Sequence, residues 1–119
     1  MRTLLFFIIF IVFSNHYGFS QSNIWYFGDY SGLLFNGKAT PTPLSNGKLS
    51  TGEGCAVLTD KNGNLIFYTD GVSVWNSSHY KEFSGLKGHS SSSQSALIIP
   101  IPGTNCKRYF IFTMGAAED

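Results

Sequence analysis

The pattern of apolar and polar positions along the chain is short-period and repeatedly interrupted. Residues 24–28 (IWYFG) form an aromatic, β-branched run, and residues 33–35 (LLF) make a short partner across Asp29-Tyr30-Ser31-Gly32. Residues 39–47 (ATPTPLSNG) read as a loop, because Pro41 and Pro43 cannot donate to a strand ladder. The clearest hairpin follows. Residues 55–59 (CAVLT) and 65–69 (LIFYT) flank Asp60-Lys61-Asn62-Gly63-Asn64, where Asn-Gly permits the positive φ of a tight reversal. Asp70-Gly71 turns the chain again, and residues 72–75 (VSVW) alternate as a third strand. Residues 76–94 read as loop, with strands resuming at 95–99 (SALII) and 109–113 (YFIFT). No stretch keeps helical spacing for long without a glycine or serine. The expected class is all-β, built from antiparallel strand–turn–strand units.

Those units recur. Tyr26-Phe27-Gly28-Asp29, Phe67-Tyr68-Thr69-Asp70-Gly71 and Ile111-Phe112-Thr113-Met114-Gly115 are separated by 41 residues (26 to 67) and 44 residues (67 to 111). Strand units at that period suit a β-propeller, with a β-sandwich or other meander as the alternative. A closed propeller needs at least four blades of about forty residues. Residues 21–119 therefore read as two to three blades, truncated at the C-terminal end, of something longer.

The N-terminus has a different character. Arg2 precedes an unbroken apolar run at residues 4–13 (LLFFIIFIVF), and small residues stand at Gly18 and Ser20. That is a secretory signal peptide over residues 1–20, with cleavage expected between Ser20 and Gln21. As a helix the run would rise about 15 Å, half the roughly 30 Å hydrocarbon core, which argues against a membrane anchor. No later segment is long enough to span. The expected destination is the cell surface or the medium.

Composition sharpens this picture in two places. Eight Lys and Arg against seven Asp and Glu give a formal net charge of +1, scattered singly. Such a surface offers no electrostatic footprint for nucleic acid. The two cysteines, Cys55 and Cys106, lie beyond the signal peptide. Export would permit a disulfide, but Cys55 begins its strand while Cys106 lies beside a turn. Strand rise separates such ends by about 15 Å, against a bridging limit of roughly 7 Å between Cα atoms. The sequence favours a buried free thiol at Cys55 and an exposed one at Cys106.

Candidate chemistry is sparse. Asp60-Lys61-Asn62-Gly63-Asn64 imitates the front of a calcium loop but lacks the bidentate Glu, so it reads as a hairpin turn and no metal site is expected. His79 and His89 share a serine-rich loop without a Gly-x-Ser-x-Gly elbow or an HExxH spacing, and read as solvated or held by turn amides. Glu53 and Asp70 could pair as carboxylates for glycoside hydrolysis, although acids beside glycine in turns are commonplace. Trp25, Tyr26, Tyr68 and Trp75 could stack on sugars or fill the space between blades, and at alternate strand positions core packing is the commoner role. Asn76-Ser77-Ser78 is a glycosylation sequon. The residues marked for ligand binding are Trp25, Tyr26, Trp75, Glu53 and Asp70, with no catalytic residue and no cofactor assigned.

One resemblance runs through nearly the whole of this span. It is carried by Ile24-Trp25-Tyr26-Phe27-Gly28, Gly32-Leu33, Phe35, Glu53-Gly54-Cys55-Ala56 and Asp60-Lys61-Asn62-Gly63-Asn64-Leu65. It continues through Phe67-Tyr68-Thr69-Asp70-Gly71, Val74-Trp75-Asn76, His89-Ser90-Ser91, Gln94-Ser95-Ala96, Pro100, Pro102-Gly103 and residues 109–113. In this order and spacing the chain resembles the N-terminal β-propeller-like region of large secreted Bacteroidetes proteins associated with gliding motility. Members of that family commonly carry PKD or other Ig-like repeats and a C-terminal sorting domain for type IX secretion. The resemblance implies an exported binding or structural module, adhesive in character, whose partners are glycans or other surface proteins. It brings no catalytic residues. A secreted glycosidase-like propeller enzyme is the alternative.

Overall fold

A computed structural model describes residues 23–115, so the expected signal peptide and its cleavage site lie outside the described residues. Among the described residues there are nine strands and no helix. They form three small antiparallel sheets. The first orders β1 (Ile24–Tyr26), β2 (Gly32–Leu34) and β3 (Thr42–Leu44); the second, β4 (Ala56–Thr59), β5 (Leu65–Thr69), β6 (Ser73–Asn76) and β7 (Lys81–Ser84). The third is the hairpin of β8 (Ala96–Pro100) and β9 (Tyr109–Thr113). β1 lies against β4, and β4 against β8. The sheets meet through these strands, with no closed barrel among the described residues, an arrangement that suits an incomplete propeller or a sandwich. No helix among the described residues is long and apolar enough to cross a membrane.

Two strands depart from the sequence reading. β3 falls within the expected loop at 39–47, and Pro43 sits in it opposite Leu33. It is tolerated because β3 is the last strand of its sheet and Pro43 is exposed, so no inward ladder bond is lost. β7 falls within the expected loop at 76–94 and is exposed along its whole length. Its Lys-Glu-Phe-Ser sequence carries no apolar alternation, yet charged, solvated strands are what a sheet edge requires.

The three aromatic motifs open equivalent stretches of chain. The first lies at β1, the second in β5 and the third in β9; β1–β2–β3 and β5–β6–β7 each run through three strands of one sheet. The chain then crosses to begin the next sheet with β4 or β8. The sequence unit is therefore out of phase with the sheets by one strand. Each crossing is pinned by close backbone approach. A Cβ at Gly28 would lie 1.7 Å from the Thr51 carbonyl oxygen, so only glycine lets the β1–β2 turn meet the segment before β4. Serines tie the second crossing to the first. Gly54 N donates to Ser92 O at 3.0 Å, Thr51 Oγ1 to Ser90 O at 2.9 Å, and Ser95 Oγ to Gly54 O at 2.6 Å.

The core lies between the first two sheets. Tyr26, Leu49, Tyr68 and Trp75 are its buried members, with Ile24, Leu44, Cys55, Val57 and Leu65 packed against them. Tyr26 stacks on Tyr68 with centroids 4.9 Å apart, and Tyr68 stacks on Trp75 at 5.7 Å. Lys81 Nζ caps the far side of Trp75, 5.4 Å from its ring centre. The third sheet is more open. Leu97, Ile99, Phe110 and Phe112 share one exposed face of the β8–β9 hairpin, where Leu97 pairs with Phe112 and Ile99 with Phe110.

This division predicts unequal sensitivity to truncation. Tyr68→Ala empties the centre of the stack and should cost about 3–5 kcal/mol. Phe112→Ala, at a side chain 55% exposed, should cost about 0.5 kcal/mol or less. Urea denaturation of the two variants checks the order.

Candidate functional site

The residues marked from sequence are dispersed in the fold. Tyr26 and Trp75 are only 3% and 7% exposed, so they serve packing between sheets and present no surface to a ligand. Trp25, 46% exposed, points to the other face of β1 and clusters with Phe35 at 5.0 Å and Phe27 at 6.4 Å. Asp70 Oδ1 accepts from Val72 N at 2.9 Å and Ser73 N at 2.7 Å, which shapes the β5–β6 turn. Glu53 Oε2 accepts from Ser93 Oγ at 3.1 Å, across the two crossing segments. Asp70 is thus engaged by its own turn and Glu53 by the other crossing segment, each with a separate set of partners.

The Asp60 loop is a turn, as its composition suggests. Asp60 Oδ1 accepts from Asn62 N at 2.7 Å and Asn64 N at 2.9 Å, and Oδ2 from Asn64 Nδ2 at 2.9 Å. The Asn64 side chain, before any other partner, holds this carboxyl below its ordinary range. Among the described residues no three of His, Cys, Asp and Glu converge.

The turn borders a groove that sequence reasoning missed. It has a volume of about 580 Å³ and runs between the β4–β5 hairpin and the β8–β9 hairpin. Leu58, Ile66, Pro100 and Tyr109 give it apolar walls, while Thr59, Asp60, Lys61, Asn62, Asn105 and Cys106 supply polar groups. Tyr109 is fixed at both ends. Its ring meets Phe67 edge-on at 5.6 Å, and its hydroxyl donates to the Cys106 carbonyl. Asn105 and Cys106 have φ of 50° and 55°, a left-handed pair that makes the tight return beside the groove. No sequence signal marks this place, because its lining comes from two hairpins about forty residues apart.

Of His79 and His89, His89 is held by a turn amide as expected and His79 is not. His89 Nδ1 accepts from Ser91 N at 3.1 Å, an ordinary turn contact. His79, by contrast, is built into the joint between the first two sheets. Its Nδ1 lies 2.9 Å from Tyr68 Oη and its Nε2 2.8 Å from Asn46 Nδ2, while Tyr26 Oη donates to Asn46 Oδ1 at 2.9 Å. Burial pushes the Tyr68 phenol up to about 12 and raises that of Tyr26.

Both thiols are free. Cys55 is half-buried, and its Sγ donates to Tyr26 O at 3.2 Å; burial, and then the Asp70 charge, push the thiol up. Cys106 is exposed at the groove.

Compared with known proteins, the chain matches no family model, no curated protein and no solved structure.

The thiol environments generate a direct prediction. Iodoacetamide at neutral pH should modify Cys106 in the native protein while Cys55 reacts only after denaturation. Peptide mass mapping after timed alkylation checks this, and equal rates at both would contradict the packing of Cys55 beneath β1.

Proposed function

We propose that this chain is an exported, non-enzymatic binding module of the cell surface, and that its groove between the β4–β5 and β8–β9 hairpins takes a neutral saccharide. The observation that carries the reading is the groove itself. Apolar walls with a fixed aromatic ring, bordered by amides and a hydroxyl, are the usual make-up of a small-ligand site. Sugars present one apolar face of C–H groups and a rim of hydroxyls, which suits the Tyr109 ring together with the polar groups of Asn62, Asn105 and Thr59. The adjacent charges, Asp60 and Lys61, are opposite in sign, so the site favours neither an anion nor a cation.

Two sequence features support the setting. The N-terminal signal-peptide pattern supports export. The resemblance to the front of gliding-associated secreted proteins supports a place within an adhesive surface assembly that follows the type IX route. The enzymatic alternative would need Glu53 and Asp70 as a free pair, whereas Asp70 accepts from the amides of its own turn and Glu53 from Ser93 of the second crossing segment.

The test is calorimetric titration with a panel of neutral oligosaccharides, with Cys106 alkylation followed in parallel. A binding sugar should slow alkylation of Cys106, and Tyr109→Ala should weaken binding about tenfold or more, the loss of one stacked ring. Glu53→Gln should leave binding unchanged. Absence of heat across the panel, together with an unaltered alkylation rate, would overturn the proposal.

A further inference from the structure

Two hairpin turns of the second sheet are built alike. In β4–β5, Asp60 N donates to Asn64 O at 2.8 Å and Gly63 N to Asp60 O at 3.0 Å. In β6–β7, Asn76 N donates to Tyr80 O at 3.0 Å and His79 N to Asn76 O at 2.9 Å. The first residue's side chain caps both: Asp60 Oδ1 takes the amides of Asn62 and Asn64, and Asn76 Oδ1 those of Ser78 and Tyr80. The fourth position is left-handed in each, with φ of 82° at Gly63 and 65° at His79. Glycine takes that conformation freely, while a residue with a Cβ is strained there. His79 therefore stands where the backbone asks for glycine, and its side chain must supply the compensation.

That side chain joins three segments. Tyr26 of β1 donates to Asn46 Oδ1, which leaves Asn46 Nδ2, a group that can only donate, facing His79 Nε2. Nε2 must then carry a lone pair, and Nδ1 carries the proton toward Tyr68 Oη of β5. An imidazolium would set N–H against N–H at Asn46. Turning the amide over would relieve that clash, with Nδ2 then donating to Tyr26 Oη, but it would leave the buried Tyr26 hydroxyl proton without its acceptor. The imidazole also packs edge-on against Tyr26, with centroids 5.5 Å apart.

We propose that His79 is a pH-responsive latch between the first two sheets, closed while the imidazole is neutral and released when Nε2 gains a proton. The groups that face it are Tyr26 of β1, Asn46 and Lys48 of the β3–β4 segment, and Tyr68 of β5, none of them acidic. On the neighbouring strand β7, Glu82 is turned to Asn76 Nδ2 at 2.7 Å, and Lys81 lies over Trp75. No carboxylate among these contacts compensates an imidazolium. Burial first, and then the charge of Lys48, hold the imidazole below its ordinary value. A depressed basic group stabilises the fold fully above its unfolded value of about 6.5, and that contribution is lost as pH falls through the folded value.

The experiment follows the wild-type protein, His79→Gly and Asn46→Asp by thermal denaturation from about pH 8 to about pH 5, with the imidazole titrations read by NMR. The wild type should lose midpoint temperature on acidification more steeply than His79→Gly, which keeps the turn and His89 but removes the latch. Asn46→Asp places an anionic acceptor on Nε2, so His79 should titrate higher and the wild-type slope should flatten or reverse. His79 in the wild type should titrate below a histidine in a peptide of the same local sequence. Equal slopes for wild type and His79→Gly would overturn the proposal. So would an unchanged slope and titration in Asn46→Asp, which decides the matter if His79→Gly does not fold.

Discussion

The stack of Tyr26 on Tyr68 is the contact on which the rest of the structure depends. Sheets of two to four strands, each three to five residues long, are too small to be stable alone and must bury a face against something. Here the first sheet contributes Tyr26 and the second Tyr68 and Trp75, in one column with Lys81 beyond. Aromatic rings suit such short strands because each one removes roughly 150–250 Å² from water, several times what an alanine could bury. The hydroxyls of Tyr26 and Tyr68 then need partners inside the joint. Asn46 and His79 supply them, so the polar network follows from the choice of tyrosine for the packing.

Connectivity reinforces the stack. Because each sequence unit gives three strands to one sheet and its fourth to the next, no sheet after the first is made by one unit alone. The crossing segments 45–55 and 85–95 consequently carry long-range load, and their composition shows it. Gly28 permits an approach that any side chain would block, and Ser90, Ser92 and Ser95 exchange bonds with Thr51 and Gly54. A run of serines that looks like linker in the sequence is in fact a clasp. Ser92 Oγ reaches Met114 O at 3.0 Å and Gly115 O at 2.9 Å, which ties the end of β9 to the same knot.

Much of this was legible because it rests on local chemistry. The Asp60–Asn64 reversal, the strands around it, the all-β class and the repeat of aromatic motifs all follow from period-two alternation and turn residues. The edge strands were not legible, since Pro43 in β3 and Lys81–Ser84 in β7 obey edge rules that look like loop rules. Alternation pointed Tyr26 and Trp75 toward the core, where they lie, without saying which sheet each would meet. That decision belongs to the sheet packed against them. The groove and the serine clasp depend on segments about forty residues apart, and nothing local announces them. His79 did leave a trace: Asp-Lys-Asn-Gly-Asn and Asn-Ser-Ser-His-Tyr are the same five-residue turn, and setting them side by side shows a histidine in the glycine position.

That substitution bears on what the histidine is for. Glycine at 79 would satisfy the backbone, and the turn would be as good as its twin at Gly63. What glycine cannot do is connect Asn46, 33 residues away, to Tyr68, 11 residues away, and through Asn46 reach Tyr26. The histidine thus exchanges backbone ease for a polar tie between two sheets, added to the ring stack, the aliphatic packing and the Cys55–Tyr26 contact that already join them. The groove lies at the opposite joint, between the second and third sheets, and shares with the latch only the second sheet. None of Leu58, Ile66 and Tyr109, which line the groove, is among the groups that face His79. The proposed latch and the proposed binding groove thus occupy different joints of the second sheet, so a change at one need not pass through the residues of the other.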